Sequence, residues 1–402
     1  MSKNTHLEHL EDSILLDGKK GAEDAFFFLD LLAKTFSGKT TSNFKVTTKW
    51  DGAPAIFCGI YPGTSLFFVG TKSIFNKDAK INFTNEDIER NHGHAPGLVD
   101  KLKSSLKYLP QLGIKGVAQG DLLFTDDKKF QQIDGERCIV FKPNTITYSI
   151  PDNNEYFDKA NAAKIGVVFH TTYTGNSIES LRATFGYDVS KLTESKDILV
   201  LSAEMDSLGS DVLLTKGERD KLVRMKSTSS ALIRNTGDVL DILAEHIAGK
   251  DMLALGHKLK QYFNTYVREG KSVDGNFLRN FENYFEKECF KEVDKVKQSK
   301  TKAAKLKKLY DGQALIAENK ESFIKIIKLY KQLQDAKEVF ITKLQKGEKF
   351  GTYLMTDNGL EITNPEGYVV IANGTKAFKF VNRLSFSQAN FKKDAVASRW
   401  MD

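Results

Sequence analysis

A lysine, an aspartate and a glycine stand at K-x-D-G spacing in Lys49-Trp50-Asp51-Gly52, within the stretch TTKWDGAPAIFCG. An amine is a nucleophile only when it has shed its proton, and a lysine at the end of a buried strand is costly unless it has a partner or a task. Lys49 is therefore either an amine placed to attack a phosphorus or a surface lysine beside a hairpin turn. Alone, the pattern separates the two poorly. Three later pieces carry more weight because of their order. QGDLLF sets Asp121 after a glycine and before an apolar strand. NPEGYVV sets Glu366-Gly367 at the head of another, and KAFKFV places Lys379 between Phe378 and Phe380. Each also has a plain structural reading, as acids in turns beside strands or as a lysine guarding an edge strand.

The elements that must position these residues follow from periodicity. Residues 5–36 repeat apolar residues at helical spacing, with Thr5 as a cap and Leu7, Leu10, Ile14 and Leu15 in the stripe. From 43 to 75 the pattern turns to short strands punctuated by Gly, Pro and Asn. Helix returns over 84–108 around the polar loop RNHGHAPG. Strands are expected at 116–124, 137–143, 145–150, 164–175 and 197–205, with several connections too short for helical crossovers, which gives the sheets an antiparallel character. Residues 217–347 contain no proline and no convincing strand. Their apolar stripes, such as Phe323, Ile326, Ile327, Tyr330 and Leu333, describe a block of antiparallel helices. After it GTYLMTDNGLEI, GYVVIAN and KAFKFV bring strands back, so the helices read as an insertion into an α+β fold.

Composition fits a soluble chain of 402 residues, with 41% hydrophobic and 28% charged residues. No apolar run is long enough for a membrane helix, and the first residues lack the core of a signal peptide. Cys58, Cys138 and Cys289 are few, odd in number and far apart, which argues for a reducing, cytoplasmic setting without a disulfide framework or a structural zinc site. The net charge of +7 suits a polyanionic partner without requiring one.

Taken in order, these motifs resemble those of the covalent nucleotidyltransferase superfamily, the ATP-dependent nucleic-acid ligases and mRNA-capping enzymes, over about residues 43–175 and 350–382. The chain looks most like phage-type RNA ligases, for which the setting would be the host cytoplasm. The resemblance implies an adenylation domain of antiparallel sheets with flanking helices. An N-terminal helical segment (1–42) would pack on its core, motifs I, III and IIIa would lie in 43–215 and motifs IV and V in 348–402, and the all-α insertion would span 216–347. It further implies that Lys49 is the nucleophile taking AMP from ATP with Mg2+ or Mn2+, and that Lys379 is a motif V lysine on the α-phosphate. Asp51 and Gly52 belong to the nucleotide-binding motif. Lys72 would touch phosphate or ribose. Glu366 and Asp121 would hold the metal, or Asp121 would instead bind a ribose hydroxyl. Phe169 would stack on adenine, with Tyr173 as its rival.

The chain also departs from the family pattern. Pro54 stands where many DNA ligases carry arginine, Asp121 replaces the commoner glutamate, and Ala377 replaces the first motif V lysine, with Lys376 out of phase. About twenty residues follow motif V, too few for the OB-fold that carries motif VI. These features favour an RNA ligase acting on RNA or DNA strand ends. A DNA ligase, a capping-type guanylyltransferase using GTP, and a nucleic-acid-binding protein that kept the fold without turnover remain as rivals. The run KEVDKVKQSKTKAAKLKKLY (291–310) sets eight lysines against two acids. It is either a nucleic-acid contact through Lys295, Lys297, Lys300, Lys302 and Lys305 or a solvated helix face.

Overall fold

The computed structural model describes residues 7–38, 44–205, 212–357, 359–372 and 376–383, so the expected cap at Thr5 lies outside the described residues. In chain order, a 3-10 turn (Leu10–Asp12) leads into α1 (Ser13–Leu16) and α2 (Gly18–Thr35). There follow β1 (Phe44–Lys49), β2 (Ala55–Ile60), β3 (Phe67–Gly70), α3 (Asn85–His92), α4 (Pro96–Tyr108), β4 (Val117–Phe124), β5 (Lys129–Ile133), β6 (Glu136–Phe141), β7 (Thr147–Pro151), α5 (Phe157–Ala162), β8 (Ile165–Thr174), β9 (Arg182–Phe185) and β10 (Ile198–Ser202). Six helices come next: α6 (Lys216–Arg234), α7 (Gly237–Ala248), α8 (Leu255–Arg268), α9 (Phe277–Asp294), α10 (Ser299–Glu318) and α11 (Lys320–Leu344). The chain returns to β11 (Gly351–Thr356), β12 (Gly359–Ile362), β13 (Gly367–Ala372) and β14 (Lys376–Phe380).

The change of character near residue 216 has a local cause. Thr215 accepts a hydrogen bond from the Glu218 amide while Glu218 accepts one from the Thr215 amide, a reciprocal cap that starts α6. Within the described residues no strand interrupts the helices up to α11.

Among the described residues the strands form three sheets. β1-β13-β14 is the smallest, β10-β8-β4-β2-β3 is joined by β9 on β8, and β12-β11-β7-β6-β5 is the third. All pairings are antiparallel except β10 with β8, whose connection is long enough to cross over and return parallel. Strands on either side of the helical block pair directly, β13 with β1 and β11 with β7.

The alternation of β13 explains how the smallest sheet serves two neighbours. Tyr368, Val370 and Ala372 join Val46 and Phe380 in a core shared with α1, α2 and the helical block. Val369 and Ile371 point the other way, toward a cleft. A strand buried on both faces needs the unbroken apolar run GYVVIA. The N-terminal helices thus pack mainly on the helical block, through α2 with α6 and α7, while Leu7–His9 run extended along β14.

Candidate active site

The cleft has a volume of about 600 Å³ and lies between the three-stranded and six-stranded sheets. Lys49, Lys72, Asp121 and Lys379 all line it. Antiparallel pairing places Lys49 opposite Gly367, Thr47 opposite Val369, and Val369 opposite Lys379. Cross-strand partners share a face, so both lysines emerge on the cleft side of the sheet. Glu366, just before β13, forms an ion pair with the Lys49 amine. The head of β13 must come close to the end of β14, because a Cβ on Gly367 would sit 2.5 Å from the Phe380 carbonyl oxygen.

Charge is concentrated and partly desolvated here. Burial pushes the Glu366 carboxyl up to about 7 against the opposing pull of Lys49, and the nearby Asp51 and Asp121 carboxylates push the same way as burial. Burial holds the Lys379 amine below its ordinary value, and the positive charge of Lys49 adds to the effect. Lys72 is exposed at the rim and has no ion pair among the described residues.

Asp51 and Gly52 do other work than expected. The Asp51 carboxylate accepts hydrogen bonds from the amides of Thr145 and Ile146, each at 2.7 Å, and from the Asn144 side chain at 2.8 Å, while its own amide donates to the Tyr148 hydroxyl at 2.8 Å. With 5% exposure and no place in the cleft wall, it anchors the turn after β1 to the β6–β7 connection and does not face a nucleotide. Gly52 lies against β4, where a Cβ would be 2.5 Å from the Asp121 Cβ. It lets the Lys49 turn approach the strand that carries Asp121.

Phe169 is fully buried and packs beside Tyr187 on the face of β8 that α4 covers, so it cannot stack on a ligand in the cleft. The cause is a β-bulge. Gln119 pairs with Thr171 and Gly120 with Phe169, leaving His170 as the extra residue. The bulge sends Phe169 to the core while His170, Thr171 and Tyr173 line the cleft. His170, which the sequence did not single out, lies with Nε2 3.5 Å from an Asp121 carboxylate oxygen and Nδ1 2.8 Å from the Thr171 hydroxyl.

Asp121, in the cleft wall, and Glu366, against the Lys49 amine and outside that wall, are the hard oxygen donors expected to hold a metal. Among the described residues no group of three or more His, Cys, Asp and Glu side chains could hold a metal unaided. The pair suits magnesium, which takes one or two carboxylates and completes its shell with phosphate oxygens and water.

The basic run is divided. Lys295 and Lys305 both contact Glu292, the first at 2.5 Å and the second at 3.5 Å. Lys297, Lys300 and Lys302 have no ion pair among the described residues, and none of the five lines the cleft.

A model described as a family of unknown function, DUF6267, matches residues 4–395, and the chain belongs to that family. No curated protein and no solved structure matches it. Among the described residues no helix is long and apolar enough to cross a membrane.

Proposed function

We propose that this family member is an ATP-dependent polynucleotide ligase, with RNA as the favoured strand, working through a lysyl-AMP intermediate on a nucleotidyltransferase-type fold. The observation that carries this reading is the convergence of Lys49, Lys379 and Asp121 on one cleft from positions far apart in the chain, with Glu366 in contact with the Lys49 amine.

The chemistry follows from the groups at hand. The Lys49 Nζ attacks the α-phosphorus of ATP; an N–P bond forms as the bond to pyrophosphate breaks. Glu366, in contact with that amine and with its carboxyl raised to about 7, is suited to accept the proton that Nζ loses. Lys379 offers positive charge to the phosphoryl oxygens, as does Lys72 from the rim. Magnesium, held by Asp121 with Glu366 as an outer anchor, would offset charge on the phosphates and on leaving pyrophosphate. AMP then passes to a 5′-phosphate, and a 3′-hydroxyl displaces it as the strand is sealed.

Incubation with α-labelled ATP and magnesium, followed by denaturation, tests the reading. Label should remain on wild-type protein and vanish in Lys49→Ala. Label from GTP instead of ATP would favour a capping-type transfer. Polynucleotide binding without any covalent label would favour a binding protein, and label that survives Lys49→Ala would overturn the assignment. Nicked RNA, nicked DNA and single-stranded RNA then separate the strand substrates.

A further inference from the structure

The cleft continues away from Lys49 along β4. Asp121 and Gln119 share its cleft-facing side two residues apart, about 6.6 Å of strand. Gln119 stands between Phe57 on β2 and Thr171 on β8. The Tyr173 hydroxyl donates to Gln119 Oε1 at 3.0 Å. The Tyr173 ring is 3% exposed and is held 5.5 Å from Phe57 and 5.6 Å from Phe75, measured between ring centres. Burial pushes its phenol up to about 12, so it keeps the proton it donates. Gln119 lines the cleft, and with its oxygen engaged by Tyr173 its amide nitrogen has no hydrogen-bond partner among the described residues.

We propose that Gln119, locked by Tyr173, selects the base of the bound nucleotide by offering a hydrogen-bond donor to a ring position that is a bare nitrogen in adenine and an N–H in guanine. The proposal rests on reading the cleft as a nucleotide-transfer site. It gives the phosphates the Lys49 end, the ribose the neighbourhood of Asp121, and the base the next pleat of the same strand. A donor facing a donor is repulsive and leaves both unpaired, so guanine is rejected by the group that accepts adenine. Uracil carries the same N–H. Cytosine has a bare nitrogen on a single ring that extends less far from the ribose.

The test uses α,β-methylene ATP and α,β-methylene GTP, which bind without releasing pyrophosphate, on the full chain with magnesium. Wild type should bind the adenine analogue about tenfold tighter. Gln119→Leu should bring the ratio near one, and Gln119→Glu, with an acceptor in the same place, should reverse it toward guanine. Tyr173→Phe keeps the ring, frees the amide to turn, and should narrow the ratio even if the Gln119 variants fail a thermal-melt check. A ratio unchanged in all three variants, or no preference in wild type, overturns the proposal. Label on Lys49 with an unchanged base ratio in the variants would keep the transfer reading and sink this one. A ratio that shifts as stated, without label, would do the reverse.

Discussion

Lys49 and Glu366 form an ion pair at the end of the cleft although the whole helical block separates them in the chain. If Glu366 accepts the proton of the attacking amine, only its ionised form works. Adduct formation should then rise with pH and level off above about 7, the value to which burial lifts this carboxyl. Glu366→Gln should remove that rise and slow label retention by about 10²–10⁴-fold, read as single-turnover rates from pH 5.5 to 8.5.

The same carboxyl makes a stability prediction. Its folded value, about 7, lies above its ordinary 4.5. Its contribution is therefore intact below about 4.5 and is lost as pH rises through 7, amounting to about 3 kcal/mol at 1.36 kcal/mol per pH unit. Glu366→Gln cannot ionise. The midpoint of its urea unfolding should gain on wild type between pH 5 and pH 8; a constant gap would show that Lys49 fully compensates the buried charge.

Phe169 should matter to the fold and not to the ligand. Phe169→Leu should cost about 1–3 kcal/mol by urea unfolding and leave nucleotide affinity of the folded fraction unchanged, since the ring lies in the α4-covered core. A drop in affinity without loss of stability would restore the stacking role.

The K-x-D-G glycine and aspartate should behave in the same manner. Asp51→Ala would strand two buried amides, those of Thr145 and Ile146, at a cost of about 2–5 kcal/mol. Gly52→Ala forces a Cβ toward the Asp121 Cβ and the Leu122 carbonyl, for which about 1–3 kcal/mol is expected. Calorimetric melts of both variants beside Lys49→Ala would separate the residues that hold the turn from the one read as reactive; equal destabilisation by Lys49→Ala would count against that division.

What the sequence made legible was whatever has a period. Helical stripes marked the block from α6 to α11, and the apolar run of β13 marked a strand buried on both sides. Lys49, Asp121 and Lys379 reach one cleft because strand alternation fixes their faces. The single extra residue at His170 has no compositional mark, and it reverses the face of everything before it on β8; Phe169 and Tyr173, four apart, would otherwise look alike. The short, half-exposed strands β5 and β9 also escaped notice, because KFQQI and RATF carry little apolar alternation. Nor does one sequence tell a side chain that contacts a ligand from one that holds a turn, as Asp51 does.

The N-terminal segment is tied to the helical block by charges that water does not reach, and this gives the last prediction. Glu11, fully buried, receives both its bonds from the Lys337 amine, at 2.8 and 2.7 Å. Beside it the Arg383 guanidinium donates to Asp12 at 3.1 Å and to the Tyr330 hydroxyl at 2.8 Å, while Tyr330 donates to Asp12 at 2.8 Å. Removing one partner of a buried pair leaves an uncompensated charge, whereas removing both restores an uncharged core. Lys337→Met should therefore cost about 3–5 kcal/mol in urea unfolding, toward the lower end because Arg383 also lies 3.8 Å from Glu11. The double variant Glu11→Gln, Lys337→Met should recover most of that loss. Since Leu7–His9, just before Glu11, run along β14, which carries Lys379, the single variant should also weaken nucleotide binding where the double does not. A double variant no more stable than Lys337→Met would show that the fastening comes from packing and not from the paired charges.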